Sequence, residues 1–344
     1  MLDDLKWIHQ KDPEDSLGIA RRQMGQLTHD FALPKTDLGP AKNVVLGGMG
    51  GSAFYAAFAH TWPGVSVPFE IVRDYELPPY VGPDTLFIAS SYSGNTEETL
   101  SALAEAEKRG AHIAIITGGG KLQEIAQSKN YLLATVPKAE QPRYAVFAMF
   151  RALLDMLDMA GVLAAEGYAA RLAQTADFLK QAVEQWGPEV PTAQNPAKQL
   201  AQEFMGKSVV IYAGPKLFPA AYKWKISCNE NAKQVAWCGQ IPEFNHNEFI
   251  GWSKQPVDKP YAVVDLRSTL EHPRVQKRFE VTERLLSGMR PAPHVVQVEG
   301  QDVLAQLLWA IAYGDFTTLY AALLNGVDPA PVELVERFKK ALDE

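Results

Sequence analysis

The sequence predicts an α/β protein made of two doubly wound, flavodoxin-like subdomains, each a parallel sheet flanked by helices. Two observations predict this class. Short apolar runs that end in glycine or serine alternate with helical patterns, which is typical of parallel strands buried on both faces. The alternation stops at the proline-rich stretch "WGPEVPTAQNP" (186–196) and then starts again. We therefore expect two subdomains of similar design.

The first subdomain is expected to contain at least four strands, each a run rich in β-branched and other apolar residues. These runs are "NVVLGG" (43–48), "TLFIASS" (85–91), "HIAIITGGG" (112–120) and "YLLATVP" (131–137). Helical patterns follow the first two strands, and Gly110 closes the second of these helices. From Tyr144 to about Trp186 the pattern is helical throughout.

The second subdomain repeats the alternation with three more predicted strands. These are "SVVIYAG" (208–214), "YAVVDLR" (261–267) and "HVVQVEG" (294–300). The expected organisation is therefore a first subdomain over residues 1–185, a linker over 186–196 and a second subdomain over 197–344.

The composition is that of a globular protein with a large core. Of 344 residues, 47% are hydrophobic and 21% are charged, and the formal net charge is −7. An acidic chain argues against a large nucleic-acid footprint, because that needs a basic face. The two cysteines, Cys228 and Cys238, match no zinc spacing and are expected to be free, buried and reduced.

We expect a cytoplasmic location, because the sequence shows neither a secretory signal nor a membrane-spanning stretch. The N-terminal segment "MLDDLKWIHQKDPEDS" is acidic and lacks the apolar core of a secretory signal. We expect Tyr144–Ala165 to be the most apolar long stretch. Arg151, Asp155 and Asp158 interrupt it, so it is not expected to span a membrane.

The stretch "SSYSGNTEET" (90–99) follows an apolar strand and contains many hydroxyls but no lysine. Ser91, Ser93 and Thr96 stand between a strand and a helix, where free N–H groups and the helix dipole favour a phosphate. Gly94 allows close approach of the backbone. The alternative is a capping box in "TEET", which would account for one hydroxyl and one glutamate. It leaves the preceding Ser-x-Ser-Gly-x-Thr unexplained, so we favour a phosphate site.

A second glycine-rich turn, "GGMGGS" (47–52), follows the first predicted strand. Its glycines lack the Gly-x-Gly-x-x-Gly spacing of a dinucleotide site, and it has no Walker lysine, so neither NAD nor ATP is favoured. Such glycines often serve only to pack a helix against a strand. Next to the hydroxyl-rich turn, we expect them to form a wall of the same pocket, with the Gly51 N–H and Ser52 facing the ligand.

The stretch 225–252 contains a carboxylate and an imidazole among amides, with Glu230 in "NENAK" and His246 in "NHNE". A carboxylate and an imidazole with orienting amides are typical of an acid/base pair. The alternative is a solvated helix end followed by a polar loop. The neighbouring apolar "FIGW" favours a lined pocket over a solvent loop.

Taken together, these motifs give a specific resemblance. The two turns of the first half resemble the SIS (sugar isomerase) domain, which holds phosphorylated sugars. The stretch 225–252 resembles the bifunctional phosphoglucose/phosphomannose isomerase family. "QPRYAVFAMF" and "DPAPVELVERFKKAL" extend the match, and they supply Arg143 and Lys339. The alternative for Arg143 is an ordinary surface arginine at the start of a helix. The alternative for Lys339 is that the adjacent Lys340 takes its role.

The resemblance implies a metal-independent aldose–ketose isomerase that needs no cofactor. It would interconvert glucose 6-phosphate with fructose 6-phosphate through a cis-enediolate, and mannose 6-phosphate is a second candidate substrate. Glu230 would move the proton between C1 and C2, Arg143 would stabilise the enediolate, and His246 and Lys339 would open the ring. The family's hydroxyl just before the terminal lysine has no counterpart in "DPAPVE".

The resemblance also implies a homodimer in which His246 acts across the interface. From the acidic charge and the interrupted apolar stretch we expect no nucleic-acid or membrane partner. Two other functions remain open. One is a non-catalytic SIS regulator that binds a sugar phosphate, and the other is an SIS isomerase acting on an amino-sugar phosphate.

Overall fold

The structure, a computed structural model, describes residues 1–36, 38–39, 41–139, 141–254 and 260–342. The chain divides into two compact units. The first unit consists of residues 23–177, and the second unit consists of residues 1–22 together with 178–344. Two helices near the N-terminus, α1 (Leu5–Lys11) and α2 (Ser16–Arg22), therefore belong to the second unit.

The first unit contains a five-stranded parallel sheet in the order β2-β1-β3-β4-β5. Its strands are β1 (Asn43–Gly48), β2 (Phe69–Val72), β3 (Thr85–Ser91), β4 (His112–Thr117) and β5 (Leu132–Thr135). Its helices are α3 (Gly51–Phe54), α4 (Ala56–Thr61), α5 (Glu97–Lys108), α6 (Gly120–Lys129), α7 (Val146–Met159) and α8 (Tyr168–Val183), which runs past the unit boundary. All seven residues of β3 are buried, as expected for a central parallel strand.

The second unit contains a four-stranded parallel sheet in the order β7-β6-β8-β9. Its strands are β6 (Ser208–Ala213), β7 (Ala236–Gln240), β8 (Tyr261–Arg267) and β9 (His294–Gln297). Its remaining helices are α9 (Pro196–Glu203), α10 (Phe218–Glu230), α11 (Glu248–Gly251), α12 (Pro273–Leu285), α13 (Val303–Leu324) and α14 (Glu333–Leu342).

Six short 3-10 helices complete the elements that the described residues form. They are Gln23–Thr28, Pro142–Tyr144, Glu184–Trp186, Thr192–Gln194, Glu243–His246 and Trp252–Lys254. Two of them carry residues singled out in the sequence, since Arg143 lies in Pro142–Tyr144 and His246 ends Glu243–His246.

The predicted fold class is confirmed, since both units are parallel sheets with flanking helices and the first has the 2-1-3-4-5 strand order of a flavodoxin-like fold. The predicted strands all exist. The sequence pattern does not predict β2 or β7, because both are edge strands with partly exposed side chains and no continuous apolar run.

The unit boundaries differ from the expected ones at 185 and 196. The stretch 186–196 belongs to the second unit, where Trp186 is buried and its ring meets the ring of Trp309 edge-on, with centres 5.2 Å apart. Tyr320 donates a hydrogen bond to the Trp186 carbonyl at 2.6 Å. Asn195, also buried, caps α9 by accepting from two backbone N–H groups. This proline-rich, polar stretch is therefore a structured part of the second unit and does not act as a linker between the units.

Lys198 ties the N-terminal residues into the second unit. Its side chain is fully buried, and its Nζ donates to the carbonyls of Leu2 at 2.6 Å, Pro188 at 2.8 Å and Val190 at 2.8 Å. Asp3 lies 3.3 Å from the same Nζ. Burial lowers the pKa of Lys198, and the carboxylate of Asp3 opposes that shift.

The most apolar long helix is α13, a correction to the expectation for Tyr144–Ala165. Among the described residues α13 alone is long and apolar enough to cross a membrane by length and composition. Of its most apolar window, 94% is buried within the protein. α13 packs against α9, α10 and α2, so its apolar surface is covered by other helices of the second unit.

The two cysteines are free thiols in different surroundings. Cys228 is fully buried on α10, and burial raises its pKa to about 12. Cys238 on β7 is only partly buried, contrary to the expectation, because β7 is an edge strand; its pKa is raised to about 11.

Candidate functional site

The carboxyl ends of β1 and β3 form the candidate phosphate site of the first unit. These strands are neighbours in the sheet. After β1 the chain adds β2 on one side, and from β3 onward it adds strands on the other side, so the strand order reverses between β1 and β3. Ligands of open parallel sheets bind in the crevice at such a switch point. The glycine-rich turn leaves β1 and the hydroxyl-rich turn leaves β3, so the fold brings the two predicted motifs to one place.

The hydroxyls of the β3 turn form a cluster. Ser91 Oγ lies 2.8 Å from Thr96 Oγ1 and 3.4 Å from Ser93 Oγ, and it accepts from the Gly94 N–H at 3.1 Å. Thr96 is the N-cap residue of α5, yet its side chain bonds to Ser91 instead of the first helical turn. The capping-box alternative is therefore not realised. Ser91 is buried and Ser93 is exposed, so the cluster reaches from the interior to the surface.

Gly94 serves packing inside the protein. Its φ is +69°, and a Cβ at this position would overlap the carbonyl oxygen of Gly119 in the turn that follows β4. Gly94 therefore does allow a close approach of the backbone, but the group that approaches it is the turn that contains Gly119.

The glycine turn is bonded directly to the hydroxyl turn. Ser52 Oγ accepts from the Tyr92 N–H at 2.9 Å, and the Ser52 carbonyl accepts from Ser90 Oγ at 2.6 Å. A Cβ at Gly48 would lie only 2.7 Å from the Ser90 carbonyl, so the two strand ends approach too closely for a side chain there. Ser52 is buried in this junction.

Arg143 is buried beside the glycine turn, with 1% of its surface exposed. A Cβ built on Gly51 would lie 3.5 Å from the Arg143 backbone nitrogen. The guanidinium lies 4.9 Å from the ring centre of Tyr144. The alternative of a surface arginine is therefore excluded. Sequence reasoning missed Tyr92, whose hydroxyl donates to the Ala139 carbonyl at 2.9 Å and so ties Ala139 to the hydroxyl turn.

Glu230 is the last residue of α10 and is half-buried. The asparagines beside it hold the turn that follows. Asn231 is fully buried and donates to Thr318 Oγ1 at 3.0 Å, while Asn229 donates to the Gln234 carbonyl at 2.9 Å. The end of α10 is thereby fixed to α13, which gives Glu230 a defined position.

A buried ionic cluster one and two turns before Glu230 was missed by sequence reasoning. Lys223 Nζ donates to Ser227 Oγ at 2.6 Å and to the carboxylate of Asp315, and Ser227 Oγ lies 3.0 Å from the same carboxylate. All three side chains are buried. The only sequence signal is the spacing of Lys223 and Ser227 on one helix face; their partner on α13 lies 92 positions from Lys223.

His246 is exposed on the loop that follows β7. The neighbouring asparagines bond elsewhere: Asn245 donates to Thr282 Oγ1 at 2.9 Å, and Asn247 donates to a Glu243 oxygen at 2.5 Å. The expectation that these amides orient the imidazole is therefore wrong. They shape the loop, and His246 presents its ring to the surface of the chain.

Tyr212 on β6 lies beneath the His246 loop and holds it by three contacts. Its ring packs on Phe244 with centres 4.6 Å apart, its hydroxyl donates to Glu248, and it accepts from Trp252 Nε1 at 3.0 Å. Burial, together with the adjacent Glu248, raises the pKa of Tyr212 far above its ordinary value. The hydroxyl therefore stays protonated and remains a donor to Glu248.

Lys339 lies on α14, whose residues are exposed along its length. Its Nζ lies 2.8 Å from Glu336 Oε1, one turn earlier. The helix is strongly amphipathic, and its apolar residues are solvent-exposed in the single chain. They are Leu334, Val335, Phe338 and Leu342. Lys340 is equally exposed.

Each unit thus holds its own set of predicted residues. In the first unit the hydroxyl turn, Gly51, Ser52 and Arg143 gather around the ends of β1 and β3. In the second unit α10, which ends in Glu230, and the 3-10 helix that ends in His246 both pack against β7. Lys339 stands apart from them on α14. Among the described residues no group of three or more His, Cys, Asp or Glu side chains is arranged to hold a metal ion.

Family models match both halves of the chain. The SIS domain matches residues 37–166, and the "Bacterial phospho-glucose isomerase C-terminal SIS domain" matches residues 193–342. A solved structure described as a glucose-6-phosphate isomerase like protein from Thermus thermophilus has the same fold, with a TM-score of 0.69 at 20% identity. The match covers 98% of each chain.

Two curated relatives are similar over most of their length. The chain is 34% identical to a bifunctional phosphoglucose/phosphomannose isomerase of Aquifex aeolicus, over 89% of this chain and 92% of the relative. It is 36% identical to a protein of the same name from Caldicellulosiruptor bescii, over 88% of this chain and 89% of that one.

Proposed function

The chain belongs to the bifunctional phosphoglucose/phosphomannose isomerase family, and we propose that it interconverts glucose 6-phosphate and mannose 6-phosphate with fructose 6-phosphate. The observation that carries this proposal is the similarity to two proteins of that name over 89% and 88% of the chain. The geometry of the first unit supports it, since a hydroxyl cluster and a glycine turn lie at the switch point of a parallel sheet and the buried Arg143 lies beside the glycine turn.

The phosphate is bound by the turn after β3 in this proposal. Ser91, Ser93 and Thr96 supply hydroxyl donors, and the N-terminus of α5 supplies backbone N–H groups and a favourable dipole. Because the Thr96 hydroxyl is not used as a helix cap, rotation of the hydroxyls can redirect them to a phosphate. Binding a group remote from the reaction orients C1 and C2. Gly51 and Ser52 form the opposite wall.

Proton transfer is assigned to Glu230. Its carboxylate removes the C2 proton of the open-chain aldose, and the C2–H electron pair forms the C1=C2 bond while the carbonyl electrons move to O1. The same carboxyl then returns the proton to C1, while the hydroxyl proton of O2 passes to O1, which gives the C1 hydroxyl and the C2 carbonyl of the ketose. Arg143 stabilises the negative charge of the cis-enediolate. The proposed route uses no metal ion and no cofactor.

Ring opening is assigned to His246 and Lys339, one acting as acid at the ring oxygen and the other as base at the anomeric hydroxyl. The exposure of His246 supports a role outside its own chain, so we propose that it completes the site of a partner in a homodimer. We also propose a cytoplasmic location.

The test is an assay on fructose 6-phosphate that follows glucose 6-phosphate and mannose 6-phosphate separately, with EDTA present. We expect both products from the wild type. Glu230→Gln should lower kcat about 10²- to 10⁴-fold, the usual contribution of a positioned acid/base group. Glu280→Gln, which neutralises an exposed glutamate on α12, is the matched control and should leave kcat unchanged.

Three outcomes would contradict the proposal or part of it. Binding of both sugar phosphates without turnover would indicate a non-catalytic regulator. Turnover of glucosamine 6-phosphate alone would indicate the amino-sugar alternative. Full activity of Glu230→Gln would remove Glu230 from the proton transfer while leaving the reaction itself in place.

A further inference from the structure

The second sheet has the same strand order around its two central strands as the first sheet. In the order β7-β6-β8-β9, strands β6 and β8 take the places that β1 and β3 take in β2-β1-β3-β4-β5. The turn after β6 (214–217) therefore corresponds to the glycine turn, and the turn after β8 (268–272) corresponds to the hydroxyl turn. A parallel sheet of this design offers an anion-binding crevice at these two turns.

A carboxylate of the protein itself occupies this crevice. Glu271 reaches from the β8 turn to the β6 turn, where its Oε1 accepts from the Lys216 N–H at 2.7 Å. Burial raises the pKa of the Glu271 carboxyl, and the hydrogen bond from the Lys216 N–H and the charge of Lys216 oppose that shift. The Glu271 side chain is buried, with 5% of the residue exposed. Helix α10 begins directly after this turn, so its dipole also favours a negative charge there.

Gly214 provides the space for this carboxylate. A Cβ at this position would overlap Glu271 Oε1. The carboxylate lies directly against the backbone, so a side chain at this position would displace it. Close approach of an anion to a glycine at the end of a strand is the arrangement that phosphate-binding turns use.

The hydroxyl of the β8 turn is bonded within the protein. Ser268 Oγ donates to Gln306 Oε1 on α13 and accepts from the Leu270 N–H at 2.9 Å. Ser268 is buried. Lys216 directs its Nζ to the Leu270 carbonyl at 2.6 Å, which ties the two turns together around the carboxylate. The crevice is thus closed by its own side chains.

We propose that Glu271 is a built-in anion that fills a second oxyanion site, so that each chain binds phosphate only at the turn after β3. The filled site has the chemistry for a small oxyanion, either a carboxylate such as formate or inorganic phosphate. Glu271 excludes these ligands by occupying the same N–H donors and by repelling a second negative charge.

The test is the stoichiometry of phosphate binding, measured by isothermal titration calorimetry on the full-length protein. We expect one inorganic phosphate per wild-type chain and two per chain of Glu271→Ala. Formate should raise the Tm of Glu271→Ala in a saturable manner and leave that of the wild type unchanged. Adding Gly214→Ala to Glu271→Ala should abolish both effects, because the new Cβ takes the space of the anion.

Two results would overturn the proposal. One is a folded Glu271→Ala protein that binds a single phosphate and does not respond to formate. The other, which needs no variant at Glu271, is a wild-type chain that binds two phosphates. A Ser91→Ala/Ser93→Ala variant separates this proposal from the proposed function. If it keeps one phosphate while Glu271→Ala gains a second, the assignment of the β3 turn fails and the assignment of Glu271 stands.

Discussion

Tyr212 lies under the loop that carries His246 and contacts it at Phe244, Glu248 and Trp252. The first contact is apolar and the other two use the hydroxyl. Because burial keeps this hydroxyl protonated, it can donate to Glu248 and accept from Trp252 at the same time. A single oxygen therefore fixes the end of the loop that follows His246.

Tyr212→Phe removes this oxygen and keeps the ring. We expect kcat for fructose 6-phosphate to fall about tenfold, since loss of a positioning contact misplaces an acid/base group, while KM changes little. Tyr261→Phe is the matched control, since its ring packs on Trp252 at 5.3 Å in the same cluster. The measurement is steady-state kinetics, in comparison with His246→Ala.

The variants separate two roles of this tyrosine. If His246→Ala loses activity and Tyr212→Phe does not, Tyr212 serves stability alone. If Tyr212→Phe lowers the activity of His246→Ala as strongly as that of the wild type, its effect does not pass through His246.

Residues that act with sequence neighbours could be predicted, and residues that act with distant partners could not. The hydroxyl cluster could be predicted because its three members, Ser91, Ser93 and Thr96, lie within six positions of one another in the sequence. Tyr212 and Glu248 are 36 positions apart, and nothing in either local pattern indicates the pair. The asparagines beside His246 were expected to orient its imidazole because they are its neighbours in sequence, but their side chains bond to other residues.

At the scale of elements, α10 and α13 are joined by ionic and polar bonds inside an apolar interface. Lys223 and Asp315 are each about 1% exposed, and Ser227 bonds to both. A further bond, from Asn231 to Thr318, joins the same two helices near Glu230. The set of bonds fixes the rotation and register of α10 relative to α13.

Lys223→Met should lower the free energy of unfolding by about 3 to 5 kcal/mol, because the carboxylate of Asp315 stays buried without its main counter-charge. Lys277→Met on α12 breaks an exposed pair and should cost less than about 1 kcal/mol. Urea denaturation measures both. Lys223→Met/Asp315→Leu should regain much of the loss; if it is no more stable than Lys223→Met, an unpaired buried charge is not the cause.

Strands with a continuous apolar run were the predictable ones, including β5 and β9 at the sheet edges. β3 and β8 match their predicted bounds because each is a continuous apolar run next to a helical pattern. β2 and β7 lie at sheet edges, where part of each strand faces outward and the apolar run is interrupted. Their partners in the sheet, β1 and β6, decide that they are strands.

At the scale of the whole molecule, the sequence predicts two units but not which residues belong to them. Residues 1–22 precede the first sheet in the chain and belong to the second unit. Their place depends on Lys198 and on the packing of α2 against α13, which are contacts across most of the chain length. No local pattern in residues 1–22 indicates these partners.

Mixing His246→Ala with Glu230→Gln tests the proposed homodimer. If His246 acts across the interface, half of the randomly mixed dimers are heterodimers, and each has one intact site. We therefore expect recovery of about a quarter of wild-type activity after subunit exchange. Mixing His246→Ala with the Glu230→Gln/His246→Ala double variant is the control and should give no recovery. No recovery in the first mixture would place His246 in the site of its own chain.

The bond from Lys198 to the Leu2 carbonyl constrains the order of events during synthesis. Helices α1 and α2 are made before the first sheet, but their partners in residues 178–344 are made last. At the usual rate of translation, the N-terminal segment waits on the order of tens of seconds for them. The first unit, contiguous in sequence, is free to fold during that interval. A ribosome-bound chain should therefore protect the first unit from protease while Leu2 and its neighbours are still accessible.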